Sequence, residues 1–167
     1  MVRFEFDVSE GKIANLAKKE QTISAGANSI VGGRESGNKA IQFTGDDAVG
    51  LPVGNFPRHQ PFSIATWMWT PDKKERSVVY HRSRAWTDSA SRGYQFLIED
   101  GKVSGSLIHF WPGNAIRVRT KAEIPPKTWT HVTMTWDGSS RARGLKLYVN
   151  GRLASSDIVR DNLYKNI

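Results

Sequence analysis

Two short segments gather the side chains from which a recognition site can be built. Tyr80-His81-Arg82-Ser83-Arg84-Ala85-Trp86-Thr87-Asp88 leaves a strand for a polar loop, and His109-Phe110-Trp111-Pro112-Gly113-Asn114 makes a turn. Indole rings cover the apolar C–H faces of sugars, while guanidinium, imidazole and amide groups bond hydroxyl or acidic substituents. Trp86 and Trp111 lie among turn residues, a setting that suits an exposed platform and a cap on the end of a sheet sandwich about equally. Arg117, Arg119 and Lys121 alternate with Ile116, Val118 and Thr120, so strand geometry puts three cations on one face. Arg82 and Arg84 share the same period, and arginine grips carboxylate or sulfate bidentately. A solvated strand face with edge-protecting charges has the same pattern. The candidate ligand-binding set is therefore His81, Arg82, Arg84, Trp86, His109, Trp111, Asn114, Arg117 and Arg119.

Catalytic chemistry finds little support. Glycan hydrolysis needs two carboxyl groups roughly 5 to 9.5 Å apart in one cleft. No strand carries Glu-x-Asp-x-x-Glu, and most acidic residues fall at predicted strand ends or turns. No Gly-x-Ser-x-Gly elbow accompanies the histidines, and His59, His81, His109 and His131 share no His-x-x-x-His spacing. Phosphate-loop and dinucleotide motifs are absent, so the chain reads as a non-enzyme. Asp46 and Asp47, after Gly45, can offer oxygens to calcium, although a solvated turn explains them as well.

The 167 residues fit one domain, residues 1 to 167, with 38% hydrophobic residues and six tryptophans to fill its core. No apolar run approaches the ~18 residues of a membrane span. Without cysteine, disulfides and thiolate metal sites are excluded. The net charge of +8 is concentrated: residues 101 to 152 hold nine basic side chains against Glu123 and Asp137. Such a half favours polyanionic partners, though solubility alone accounts for it. A nucleic-acid role lacks a recognition helix or single-strand platform motif.

The elements that must position these residues are strands. Val2 to Asp7 alternates with Phe4 and Phe6 inward; residues 8 to 38 read as irregular, with a short strand near Thr22 and one helical turn at Ile13 to Lys18. From Ala40 strands recur at about 40–44, 47–51, 62–70, 76–82, 93–99, 102–110, 114–120, 129–136, 144–149 and 152–158. Asp100-Gly101, Pro112-Gly113, Pro125-Pro126 and Asn150-Gly151 punctuate them. Evenly spaced short strands imply an all-β antiparallel sandwich. Its expected core includes Phe43, Ile64, Trp67, Leu97, Leu107, Val118, Val132, Met134, Leu147 and Val149.

Trp129-Thr-His-Val-Thr-Met-Thr-Trp-Asp-Gly138, followed by Leu145-Lys-Leu-Tyr-Val-Asn-Gly151, resembles the laminin-G-like jelly rolls of the concanavalin A-like lectin and glucanase superfamily. Ala40 to Pro52, with its Gly-Asp-Asp turn, and Phe62 to Trp69 are similar to that family's early strands. Tyr80 to Asp88, Leu107 to Arg119 and Val159 to Ile167 look like the laminin-G-like domain of large exported bacterial proteins with cytochrome-c-like modules. The resemblance implies an antiparallel two-sheet jelly-roll sandwich. It also implies a binding module for a glycan, acidic or sulfated, in an exported protein, periplasmic or extracellular. The alternative is a structural or protein-interaction domain packed against neighbouring domains. The family usually ends on a Gly-x-[Ile/Leu]-Asp-Glu strand; none follows Asn166-Ile167, so a missing closing strand is expected to leave an unpaired edge.

Overall fold

The computed structural model describes residues 1–9, 12–18, 20–45, 47–83 and 92–167. The chain divides into two compact units, Met1–Gly54 and Asn55–Ile167.

In the first unit, β1 (Phe4–Ser9), β2 (Lys12–Asn15) and β3 (Thr22–Ser24) form a three-stranded antiparallel sheet in that order, and β4 (Ser29–Gly32) pairs with β5 (Lys39–Gln42). Ile13, Ile23 and Ala25 are buried, with Phe4, Phe6, Ile30 and Ile41 packed around them. The helical turn expected at Ile13 to Lys18 is instead β2 and a following turn. Asn15 explains the change. Its buried side chain accepts from the amides of Arg3 and Ala17, both at 3.0 Å, offering the backbone an alternative to helical bonding. The expected strand at 47–51 is absent, and β1 has a partner strand, β2, on one side of its sheet.

The second unit is a sandwich. Its larger sheet has the order β14 (Ser156–Asn162), β10 (Asn114–Glu123), β9 (Lys102–Phe110), β8 (Gly93–Glu99), β7 (Arg76–Ser83). Its smaller sheet has the order β13 (Arg152–Leu153), β12 (Leu145–Val149), β11 (Thr130–Trp136), β6 (Phe62–Met68). Every pairing is antiparallel. Asn150 (φ 50°) and Gly151 (φ 77°) both take left-handed backbone, the requirement of the two-residue hairpin turn that joins Val149 to Arg152.

Between the sheets lie Tyr94, Phe96, Ile98, Val103, Leu107, Ile116 and Val118 from one side, and Phe62, Val132, Met134, Trp136, Leu145 and Leu147 from the other. Gly105 lets the sheets approach: a Cβ there would stand 2.8 Å from Met134 Sδ. Three expected core residues are not in it: Leu97 is buried, but on the outer face of the larger sheet, in the cross-strand row with Ser104 and Arg119. Phe43 is 56% exposed, and Trp67 is 43% exposed because period-2 alternation in β6 points Phe62, Ile64 and Met68 inward and turns odd-numbered residues out. Ile64 and Trp67 cannot both face one side of a regular strand. Ile64 and Val149 are half-buried, and the other expected core residues are buried.

Candidate functional site

The five-stranded sheet carries His81, Trp111, Arg117 and Arg119 on the side turned away from the core. The cross-strand rows are His81–Gln95–Ser106–Arg117 and Leu97–Ser104–Arg119, fixed by the pairings of β7, β8, β9 and β10. Gln95, Ser104 and Ser106 are buried there, and Gln95 Oε1 and Ser104 Oγ have no hydrogen-bond partner.

Arg117 is not a solvent-facing cation. Its Nε donates to Ser106 Oγ at 2.9 Å, its Nη1 donates to Glu99 Oε1 at 3.1 Å, and the guanidinium lies 4.0 Å from the centre of the Trp111 ring. Burial lowers its pKa, an effect the Glu99 carboxylate opposes. Arg119 stands 3.7 Å from Asp100, and Lys121 stands 3.5 Å from Asp157. The basic stripe is therefore matched by three carboxylates that the turns and the neighbouring strand supply. Trp111 offers one ring face to Arg117, which makes it a lid on a buried ion pair.

Arg82 is separated from this group. As the cross-strand partner of Tyr94 it belongs to the opposite face of the sheet, where its Nε donates to Asn55 Oδ1 at 3.0 Å. His81 shares a 2.9 Å hydrogen bond with Ser83. Arg84 and Trp86, and Asp46 of the acidic turn, lie outside the described residues. Asp47 is exposed.

His109 and Asn114 hold the chain's last residues in place. His109 Nδ1 donates to the carbonyl of Asn166 at 2.6 Å; Asn114 Oδ1 accepts from the amides of Tyr164 (3.0 Å) and Lys165 (3.3 Å). Asn162 Nδ2 adds a bond to the Gly113 carbonyl at 2.6 Å. Polar turn residues thus clamp the segment Asn162 to Asn166 against the β9–β10 turn.

The outer face of the four-stranded sheet bears aromatic residues that the sequence reading assigned to the core or left aside. Trp67 pairs across strands with His131, and their ring centres are 5.1 Å apart. Thr133 next to His131 pairs with Ala65 on one side and Tyr148 on the other, and Thr135 pairs with Lys146. Trp69, just beyond β6, is 46% exposed. The signal was present in Phe62-Ser-Ile-Ala-Thr-Trp-Met-Trp69: once Phe62 and Ile64 are inward, parity forces Trp67 outward. A sheet face with an exposed indole, a phenol, an imidazole, hydroxyls and a cation, and a second exposed indole just beyond β6, has the composition of a stacking platform with polar contacts around it.

A two-sheet antiparallel sandwich with these motifs defines a lectin-like jelly roll. The chain belongs to the concanavalin A-like lectin/glucanases superfamily: the superfamily's third laminin-G model matches residues 43–166. It is also similar to Protein Daple of Homo sapiens, 27% identical over 133 residues, an alignment that covers 71% of this chain. The alignment takes in 7% of Daple's length. Among the described residues no helix is long and apolar enough to cross a membrane.

Proposed function

We propose that this chain is a non-catalytic binding module that recognises a glycan on behalf of a larger exported protein of the bacterial, cytochrome-bearing kind its sequence resembles. The observation that carries the reading is the exposure of Trp67 on the outer face of the smaller sheet that also bears His131, Tyr148 and Lys146, with a second exposed indole, Trp69, just beyond β6. Each indole residue is a little under half exposed, and covering that remaining area with a ligand's C–H face recovers on the order of 1 kcal/mol each. The absence of catalysis is part of the proposal. Glu99, on the polar face of the larger sheet, is held by Arg117 rather than left to act as acid or base.

An acidic or sulfated glycan fits the positive charge of the chain, but the pairing of Arg117, Arg119 and Lys121 with carboxylates moves the expected contacts toward stacking and hydrogen bonding. Calcium belongs to the proposal at Asp47. Asn28 Nδ2 donates to the Asp47 carbonyl at 3.2 Å, and Asn28 Oδ1 is buried without a partner, an oxygen of the kind calcium takes. Calcium is expected to raise the melting temperature of the protein, and Asn28→Ala to abolish the rise; no rise removes calcium from the account.

The test is retention on immobilised neutral glucan and on a heparin-like polymer, each at two salt concentrations. Retention that Trp67→Ala abolishes in a folded protein supports glycan recognition. Should neither polymer bind while neighbouring domains of the parent protein do, the alternative role of a domain-packing scaffold replaces it.

A further inference from the structure

We propose that a pocket where the loop 137–141 meets the clamped C-terminal segment is a subsite for a pyranoside bearing one anionic group. The inference rests on the glycan reading above and assigns to it a site of different chemistry from the aromatic face. The pocket has a volume of about 350 Å³, at the small end of the ~300 to 1,000 Å³ of ligand sites, and suits one sugar ring better than a chain.

Six of its lining residues give it a definite chemistry: Arg58, Ser140, Arg141, Asp161, Asn162 and Tyr164. Arg58 is anchored: its carbonyl accepts from Trp136 Nε1 at 2.7 Å, its amide donates to Asn166 Oδ1 at 2.8 Å, its Nη1 donates to the Leu163 carbonyl at 3.4 Å and its Nη2 donates to His59 Nε2 at 3.0 Å, while its Nε is buried with no partner. Ser140 Oγ is likewise buried and unpartnered. Both atoms lie beneath the pocket surface, so the groups open to a ligand are the outer side chains, Arg141, Asp161, Asn162 and Tyr164.

The charges narrow the ligand. Two guanidiniums and one carboxylate line the pocket, so its net charge is positive and favours a ligand with a single negative charge. Asp161 is held by the Ala142 amide, which donates to Oδ1 at 2.8 Å, leaving its other oxygen to accept from a hydroxyl. Asn162 spends its Nδ2 on Gly113 and keeps its carbonyl oxygen as an acceptor. Arg141 is exposed at the rim, and the Tyr164 ring is 61% exposed. A carboxylate or sulfate on the sugar would meet Arg141, ring hydroxyls would meet Asp161 and Asn162, and the C–H face would lie on Tyr164.

Methyl β-glucuronide, methyl glucoside 6-sulfate, methyl β-glucoside and inorganic sulfate are titrated into the full chain while backbone amide resonances are followed. Saturable shifts centred on Ser140, Arg141 and Tyr164 are expected with one or both anionic glycosides, and which of them binds identifies the group. Arg141→Gln should weaken that binding about tenfold or more, with the spectrum otherwise unchanged. Methyl β-glucoside binding equally well, inorganic sulfate producing the same shifts with the same affinity, or no saturable shift in the pocket overturns the proposal. Polymer retention that depends on Trp67 but not on Arg141 leaves the glycan reading standing without this subsite. Glycoside binding in the pocket without polymer retention has the reverse meaning.

Discussion

Arg117 sits on a sheet face with its charge answered on three sides, by Glu99, by Ser106 and by the Trp111 ring, and the Arg117 and Glu99 side chains are only 13% and 16% exposed. Removing one partner of such a pair leaves an uncompensated charge in a poorly solvated place. Glu99→Ala should therefore cost about 2–4 kcal/mol in denaturant unfolding, and the double variant Glu99→Leu with Arg117→Leu should cost less than the sum of the two single changes. Asp137 contributes to stability in a pH-dependent way. Burial opposes ionisation of Asp137, but hydrogen bonds from the Ser139 hydroxyl and amide (the latter 2.8 Å) and the charge of Lys146 outweigh it, so its pKa lies below the ordinary aspartate value. A depressed folded pKa contributes stability above the unfolded pKa, near 4, and that contribution is lost as pH falls through the folded value. Because Asp137 is exposed, the loss should be under about 1 kcal/mol. Melting temperature followed from about pH 5 to pH 2 should fall less steeply in Asp137→Asn than in the parent chain.

The strand pairing of β7 with β8 depends on Gly93, whose φ is +140° and whose hypothetical Cβ would lie 1.8 Å from the Arg82 carbonyl oxygen. Gly93→Ala should separate the ends of these strands, at a cost of about 2–4 kcal/mol, with faster amide exchange in β7 than in β9. Elements of this kind were the legible part of the sequence. From residue 62 to residue 149 the strand positions agree with alternation bounded by turn pairs, because Asp100-Gly101 and Asn150-Gly151 place both residues at positive φ and leave little choice of register; the single strand expected at 152–158 is instead β13 and β14, which belong to different sheets. Before residue 40 the strands are three to six residues long, and β2 is defined by the side-chain bonds of Asn15, a tertiary feature with no periodic signature. The site was harder to read than the fold. Alternation put Arg117, Arg119 and Lys121 on one face, but their partners Glu99, Asp100 and Asp157 come from other strands and turns and become visible only once those strands are in register. The outward Trp67 was readable by parity with Phe62; hydrophobicity alone assigned it inward.

At the scale of the whole chain, +8 of net charge favours association with polyanions, while the pairing of Arg117 and Arg119 with carboxylates limits how much of that charge forms specific contacts. Binding carried by long-range charge declines steeply with salt; binding carried by stacked indoles does not. The account therefore predicts that retention on a neutral glucan is nearly independent of salt, and that any retention on a heparin-like polymer has a salt-sensitive part that survives Trp67→Ala. The most direct measurement compares glucan affinity of the parent chain with that of Trp67→Ala and Trp69→Ala, with circular dichroism showing the same β-sheet spectrum for all three. The account predicts a loss of about tenfold or more for Trp67→Ala, as expected when ~1–3 kcal/mol of stacking is removed. Unchanged affinity in both folded variants would contradict it.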